Sequence, residues 1–395
     1  MNLRRFCTLL CIAVFMIATA ADAAVHRVIP GDSIQAAIDG AAPGDTILVR
    51  PGTYQEAGNA LYGLRIATDN IRLIGLARPH LGEAGKVRVL HTGTQETGIY
   101  AAPAGCEYKD EDGTCGSVLQ DFYLRGFTVE GFPQNGIQTR WVDGFKFVRN
   151  ESVDNLNNGI YPTLSTDGLV ARNVSYGSLD TAMWVAGGGN VRVINNEMFE
   201  STIGLEITVA NEVEVFENDI HDNTVGVGLF HPNAAGNPPQ AVMANWVVHN
   251  NDIYDNNLPN PAPPTSFQFG LSPGVGVLIL GVSDHTVVEN NITGNAFVGL
   301  GMLGWCTAVS LGDPSRNCIN DPPVASPSAD NNLIADNLID GNGLGDPPIP
   351  LPPVDVLYIQ TPAAGEPGTG NCFENNTLTS FFATTVDGML PTDGC

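Results

Sequence analysis

The chain has 395 residues, of which 42 are Asp or Glu and 17 are Lys or Arg, giving a formal charge of −25 at neutral pH. Gly and Pro together make up about 18% of it, which argues against a helical protein, and a hydrophobic content of 43% argues against global disorder. So acidic a chain has no electrostatic attraction to nucleic acid or to an anionic membrane surface. The charge is uneven: residues 1–192 hold 16 of the 17 basic residues, whereas residues 193–395 hold 23 acids and one base, Arg316.

Met1–Ala23 reads as a signal peptide, with Arg4 and Arg5, an apolar run from Leu9 to Ala21, and a small-x-small cleavage site at Ala21-Asp22-Ala23. The apolar run is shorter than the roughly 20 residues of a membrane span. The expectation is an exported protein, secreted or periplasmic, whose mature residues 24–395 form one domain without a transmembrane segment. Early in that domain, Asp32 or Ser33 is placed to cap a short helix with Ile34, Ala37, Ile38 and Ala41 on one side, ended by Gly40 and Pro43. The segment TILVRPGTYQE that follows reads as a strand and a turn.

From about Gly136 the chain repeats itself every 22 to 23 residues: GIQTRWVDGFKFVRNESVDNLNN, GIYPTLSTDGLVARNVSYGSLDT, AMWVAGGGNVRVINNEMFESTI, GLEITVANEVEVFENDIHDNTV. Self-similarity at this period is the mark of a solenoid. Within each unit, short runs of period-two apolar alternation predict strands with one buried face. An Asn recurs at one place per unit: Asn150, Asn173, Asn196, Asn218, Asn251, Asn290, Asn337 and Asn376. Its amides can bond to one another along the stack, and Asn tolerates left-handed backbone angles, so the pattern predicts an Asn ladder at a tight turn. About eleven coils at ~4.8 Å spacing give a rod on the order of 50 Å long.

Aligning the first strand of each coil on its leading Gly assigns Ile137, Ile160, Met183, Leu205, Val227 and Val277 to the interior. It assigns Gln138 and Arg140, Tyr161 and Thr163, Trp184 and Ala186, Glu206 and Thr208, Gly228 and Phe230, and Leu278 and Leu280 to the outer face. Longer coils carry their extra residues in two places only. Residues 103–116, 231–241 and 304–329 leave after this strand, while 257–274 and 343–353 leave before it, so the loops are expected to wall a groove over its outer face. Six cysteines remain in the mature chain, Cys106, Cys115, Cys306, Cys318, Cys372 and Cys395, and 15 pairings are possible. Closeness in sequence favours Cys106 with Cys115, Cys306 with Cys318 and Cys372 with Cys395, which would staple two of the loops. No CxxC pair or neighbouring His offers zinc spacing.

On the outer face, Tyr161, Trp184 and Phe230 are aromatic rings at strand spacing that could stack on sugars, or pack beneath the loops. Arg140, Asp180 and Glu206 form the best polar set: a carboxylate can abstract a proton beside a sugar carboxyl, and Arg can neutralise the charge that develops. Arg140 and Glu206 are three coils apart, however, roughly 14 Å between backbones. His231, at the mouth of a loop, is a further candidate base or ligand.

The repeat resembles that of the right-handed parallel β-helix proteins of the pectin-lyase-like superfamily, in particular the exported bacterial group known as parallel β-helix repeat-containing proteins. The resemblance runs from about Val28 to Asn376 and is carried best by NGIYPTLSTDGLVARN, GLEITVANEVEVFENDIHDN and GVLILGVSDHTVVENNITGN. It implies an all-β, single-stranded right-handed parallel β-helix in which the short N-terminal helix closes one end. For activity it implies less. The paired-Asp and G-H-G segments of the polygalacturonase-like hydrolases are missing, and Phe230-His231-Pro232-Asn233 lacks the acids that flank the D-P-H-D/E segment of alginate epimerases. The expected ligand is a polysaccharide, bound and, where the site is catalytic, processed by lyase or epimerase chemistry; the rival is a non-catalytic envelope protein with an exported protein partner or a structural role. No cofactor or resident metal is called for, although bound Ca²⁺ would allow a polyanion to approach the acidic second half.

Overall fold

A computed structural model describes residues 23–56, 60–106, 115–231, 243–312, 327–346, 349–392 and 394–395. The expected signal peptide lies outside them. Among the described residues each full coil supplies one strand to each of three parallel sheets, with incomplete coils at the two ends. Sheet A has twelve strands, from β1 (Val25–Val28) to β32 (Cys372–Glu374). Sheet B has ten, from β3 (Gly52–Tyr54) to β30 (Leu338–Asp340), and sheet C has eleven, from β4 (Tyr62–Ile66) to β33 (Phe381–Ala383). Among the described residues no helix is long and apolar enough to cross a membrane.

The alternation works as the sequence implies. On sheet C, Ile137, Ile160, Met183, Leu205, Val227 and Val277 stack in register inside the solenoid and are at most 1% exposed. Each buried aliphatic side chain contributes about 1.5–3 kcal/mol by leaving water, and the same positions repeat in every coil.

The Asn column forms a continuous buried ladder. Asn173 Oδ1 accepts from the backbone N–H of Asn150 at 2.9 Å and from its Nδ2 at 3.1 Å, while Asn173 Nδ2 donates to Asn196 Oδ1 and Phe147 O, both at 3.0 Å. The pattern recurs through Asn218, Asn251, Asn290 and Asn337 to Asn376. The left-handed backbone falls elsewhere than expected. The residue before each ladder Asn carries it, as at Arg149, Arg172, Asn195 and Glu217 with φ between 53° and 57°, while the Asn itself is used for its amide. A second ladder, at the bend between sheets B and C, runs Asn223–Asn256–Asn295–Asn342 and ends on the carboxylate of Asp355.

The N-terminal helix α1 (Ile34–Asp39) closes one end. Ser33 Oγ accepts from Ala36 N, Gly40 caps the other end, and Ile34 and Ile38 point into the core. Glu56 ties the helix to the first coil by accepting from the Ser33 hydroxyl at 2.7 Å and from Ile34 N at 2.5 Å.

Cys106 is bonded to Cys115 and Cys372 to Cys395. The first bridge staples a loop that leaves sheet C; the second pins the C-terminus to β32. The third expected pair includes Cys318, which lies outside the described residues.

The long insertions leave sheet C at its two edges. Residues 257–274, with a 3₁₀ turn at Phe267–Gly270, and helix α2 (Trp305–Gly312) wall the outer face over the late coils, as the loop positions imply. The outward-pointing Gln138, Tyr161, Trp184, Glu206, Phe230 and Leu280 are all no more than 8% exposed. Loops lacking a core of their own bury apolar surface here by lying on the sheet.

Candidate functional site

The outer column of sheet C is set by parallel register: Arg65 beside Tyr100, Tyr100 beside Gln138, Gln138 beside Tyr161, and Trp184 beside Glu206, then Gly228, Leu278, Gly301 and Leu357. It opens with a cation already in use. The Arg65 guanidinium lies 5.1 Å from the Tyr100 ring centroid and donates to the carbonyls of Ala102 and Pro103, both at 2.7 Å.

Tyr161 and Trp184 stack on each other with centroids 4.5 Å apart and planes within 9°. Trp184 Nε1 donates to Thr208 Oγ1 at 2.8 Å, which fixes the indole. Phe230 turns back over its own strand. A Cβ at Gly228 would meet the Phe230 ring at 2.5 Å, so only glycine leaves that ring its place. Phe230 packs edge-on against Phe267, and His231 stacks on Trp305 at 5.2 Å. These two side chains thus face the insertions that cover them.

Asp180 and Glu206 do come together. Thr181, the first residue of β16 (Thr181–Ala186), places Oγ1 3.0 Å from Asp180 Oδ1 and 3.0 Å from Glu206 Oε2. A hydroxyl has one proton to give. With both carboxyls ionised, one of the two contacts would set lone pair against lone pair, so the arrangement requires a proton on one of them. Burial pushes Glu206 well above the usual carboxylate range, with the Asp180 charge adding to it. Burial also raises Asp180, to about 7, against hydrogen bonds from Thr181 and Gln268 that favour its ionised form. Glu206 is 1% exposed and Asp180 half-buried, so the proton rests more readily on Glu206.

Arg140 is not part of this cluster. It pairs in register with Thr163, its guanidinium lies 4.2 Å from the Trp141 ring centroid, and it stays two coils from Asp180 and three from Glu206. Thr181 and Gln268 were not singled out from the sequence. Thr181 adjoins Asp180, but the contact through Gln268 depends on how an insertion folds back.

Beyond Glu206 the column becomes apolar. Leu278, Gly301 and Leu357, with Leu280 and Leu303 beside them, floor a cavity of about 450 Å³. Phe267, Phe269 and Leu271 wall it on one side, Trp305, Ala308, Val309 and Leu311 of α2 on another, and Ile349 and Leu351 on a third. The 3₁₀ turn separates the two regions, with Gln268 bonded to Asp180 and Phe267 facing the cavity. Other stacked rings, Tyr176, Phe199, His221 and Tyr254, run along the outside of sheet B.

The family model described as a right-handed beta helix region matches residues 134–313. The solved structures agree along nearly the whole length. The A-module of the mannuronan C-5 epimerase AlgE4 of Azotobacter vinelandii matches at TM-score 0.55 with 16% identity, over 89% of this chain and 92% of the module. The chain is a right-handed parallel β-helix of the pectin-lyase-like fold. DFA-IIIase from Arthrobacter chlorophenolicus A6, in complex with DFA-III, matches this β-helix at TM-score 0.53 and 16% identity, over 94% of this chain and 86% of that one. The Dettilon tailspike protein matches at TM-score 0.52 and 12% identity, over 92% and 60%. At such identities the likeness establishes the fold alone. No curated protein matches the sequence significantly.

Proposed function

We propose that this β-helix is an exported protein that binds a glycan at the outer face of sheet C, with Asp180 and Glu206 acting there as an acid–base pair. The observation that carries the reading is the Thr181 hydroxyl held 3.0 Å from both carboxyls, a geometry that favours one of them protonated and the other ionised. Asp180 is the member with surface, and a carboxyl titrating at about 7 is half ionised near neutrality, where it can take or give a proton. Glu206 holds its own proton toward Thr181, whose hydroxyl is then free to donate to ionised Asp180. The reaction class is proton transfer at a sugar, as in a lyase or epimerase. Arg140 is too far along the rod to neutralise charge at Asp180, so an anionic sugar would need Ca²⁺ or another counter-charge. The two disulfides and the sequence of Met1–Ala23 support an extracytoplasmic location. The mannuronan C-5 epimerase module and the DFA-IIIase complex with DFA-III, which share the fold, add support by analogy.

A second reading, glycan binding without turnover, is favoured by the cover over Tyr161, Trp184 and Glu206. The test is to incubate the mature protein, with and without Ca²⁺, with neutral and uronate glycans. New reducing ends, unsaturated uronate absorbance or a changed epimer ratio, all lost in Asp180→Asn, would establish an enzyme. Binding that needs Trp184 but shows no turnover would establish the second reading. Binding that survives both Trp184→Ala and Glu206→Gln would place the glycan site elsewhere.

A further inference from the structure

We propose that the cavity over the late coils of sheet C is a binding site for a single acyl chain attached through an ester or amide carbonyl. The proposal stands apart from the carboxyl pair and does not depend on any activity there.

The cavity's volume of about 450 Å³ falls within the range of roughly 300–1,000 Å³ typical of small-molecule sites. Among the described residues its lining contains no Asp, Glu, Lys, Arg or His, and its side-chain hydroxyls are those of Ser266 and Ser272. A sugar or a charged group placed there would lose its water without gaining partners, whereas an alkyl chain meets Leu, Val, Phe and Trp on every described side. The floor is shaped for something to lie on it. Gly301 stands where neighbouring coils carry Leu278 and Leu357, and a Cβ built there would first touch the terminal carbon Cδ1 of Leu278, at 3.2 Å. The depression therefore comes from a missing side chain, with no backbone in the way.

The α2 wall is held in place from outside the cavity. The buried Glu366 carboxylate accepts from the backbone N–H groups of Cys306 and Thr307 and from the Thr307 hydroxyl, anchoring the first turn of the helix. Trp305 is clamped between His231 at 5.2 Å and Phe267 at 5.8 Å. A preformed wall needs little ordering when a ligand enters.

One polar feature narrows the ligand. Trp305, 2% exposed and part of the lining, has an indole N–H that meets no acceptor among the described residues. Buried indole N–H groups are normally matched, and leaving one unmatched is costly. A carbonyl oxygen at the head of an otherwise apolar chain supplies the acceptor, which a plain hydrocarbon lacks and a glycan supplies only along with many hydroxyls that the lining cannot satisfy.

Isothermal titration of the mature protein with monoacylglycerols of increasing chain length tests this. The expected result is one chain per protein, with affinity rising about four-fold per added methylene until the cavity is full. Gly301→Leu should weaken binding at least ten-fold while leaving the urea midpoint unchanged. If that variant does not fold, Leu278→Ala serves instead, and should shift the preferred chain length upward. Trp305→Phe should weaken acylglycerol binding several-fold and the binding of an alkane of equal length much less. Absence of saturable binding, or binding indifferent to both Gly301→Leu and Leu278→Ala, would overturn the site. Equal losses for ester and alkane in Trp305→Phe would overturn the role of the indole donor.

Discussion

Two kinds of column run along this rod, and they are built on opposite principles. In the Asn ladder the same residue meets the same partners in every coil, so each amide is satisfied by its neighbour above and its neighbour below. On the outer face of sheet C no residue type is kept from one coil to the next: arginine and tyrosine give way to a tyrosine–tryptophan stack, then a carboxyl, then Gly and Leu. Over its later positions the cover comes from insertions of unequal length. A repeat can maintain a solenoid, but a site needs the repeat to be broken, and sheet C is where this chain breaks it.

The largest effect that would test the contrast is Asn196→Ala. It removes the acceptor for Asn173 N and Nδ2 and the donor to Val170 O and Asn218 Oδ1, all in the core. Several unmatched buried groups together cost roughly 3–5 kcal/mol. Urea unfolding monitored by circular dichroism measures it; a loss under about 1 kcal/mol would mean that the ladder is decoration on a solenoid held by its apolar interior. On the outer face, Trp184→Ala deletes one of two stacked rings and should cost about 3 kcal/mol, as for other buried aromatic truncations. A larger loss than for Asn196→Ala would reverse the ranking of the two columns.

The difference also explains how much could be read from the sequence. The ladder Asn residues, the alternation of Ile137, Ile160 and Met183, and the cap at Ser33 are local or periodic signals, and they identify the coil, its interior and its closed end. The pairing of Asp180 with Glu206 was within reach for the same reason, because register brings neighbouring coils together. Residues that depend on how an insertion folds back are not legible in this way. Gln268 over Asp180, Phe267 over Phe230 and Trp305 over His231 are separated from their partners by loops with no period. A partial signal existed in Leu278 and Leu280: outward leucines two residues apart on one strand imply a cover. The left-handed residues were displaced by one position because sequence shows where a turn is, while the choice between adjacent residues is made by which side chain must reach the next coil.

The carboxyl pair gives the outer face a pH dependence that the ladder lacks. In the unfolded chain Asp180 ionises near 3.8, and in the folded protein near 7, so between these values the folded state holds more protons. Stability should therefore fall as pH rises through that window, with no contribution from Asp180 below it and no further loss above it. Glu206, raised further, extends the fall upward. Asp355 runs the other way: burial would raise it, but bonds from Thr379, Asn342 and Ser380 outweigh burial and hold it low, so its contribution is present above 3.8 and lost as pH falls further. Glu206→Gln should flatten the slope between pH 4 and 7 and leave stability at the acid end unchanged, since the amide can still donate to Thr181. Melting temperatures of both proteins across pH provide the measurement. An unchanged slope would show that the two carboxyls do not share a proton.

The smallest effect belongs to a third kind of column, the exposed outside of sheet A. Arg192 and Glu214 are register neighbours on successive coils, 2.9 Å apart, with side chains 53% and 44% exposed, and Arg192 also lies over the Phe216 ring. The geometry looks as good as that of the ladder, yet water competes for both charges and ordering two long side chains costs entropy. Such pairs contribute about 0–1 kcal/mol. Arg192→Ala should therefore move the urea midpoint by less than any substitution above, with a double-mutant cycle through Glu214→Ala assigning the coupling. A coupling beyond about 1 kcal/mol would show that repetition along the rod strengthens even exposed pairs, and burial would then no longer be what separates the columns.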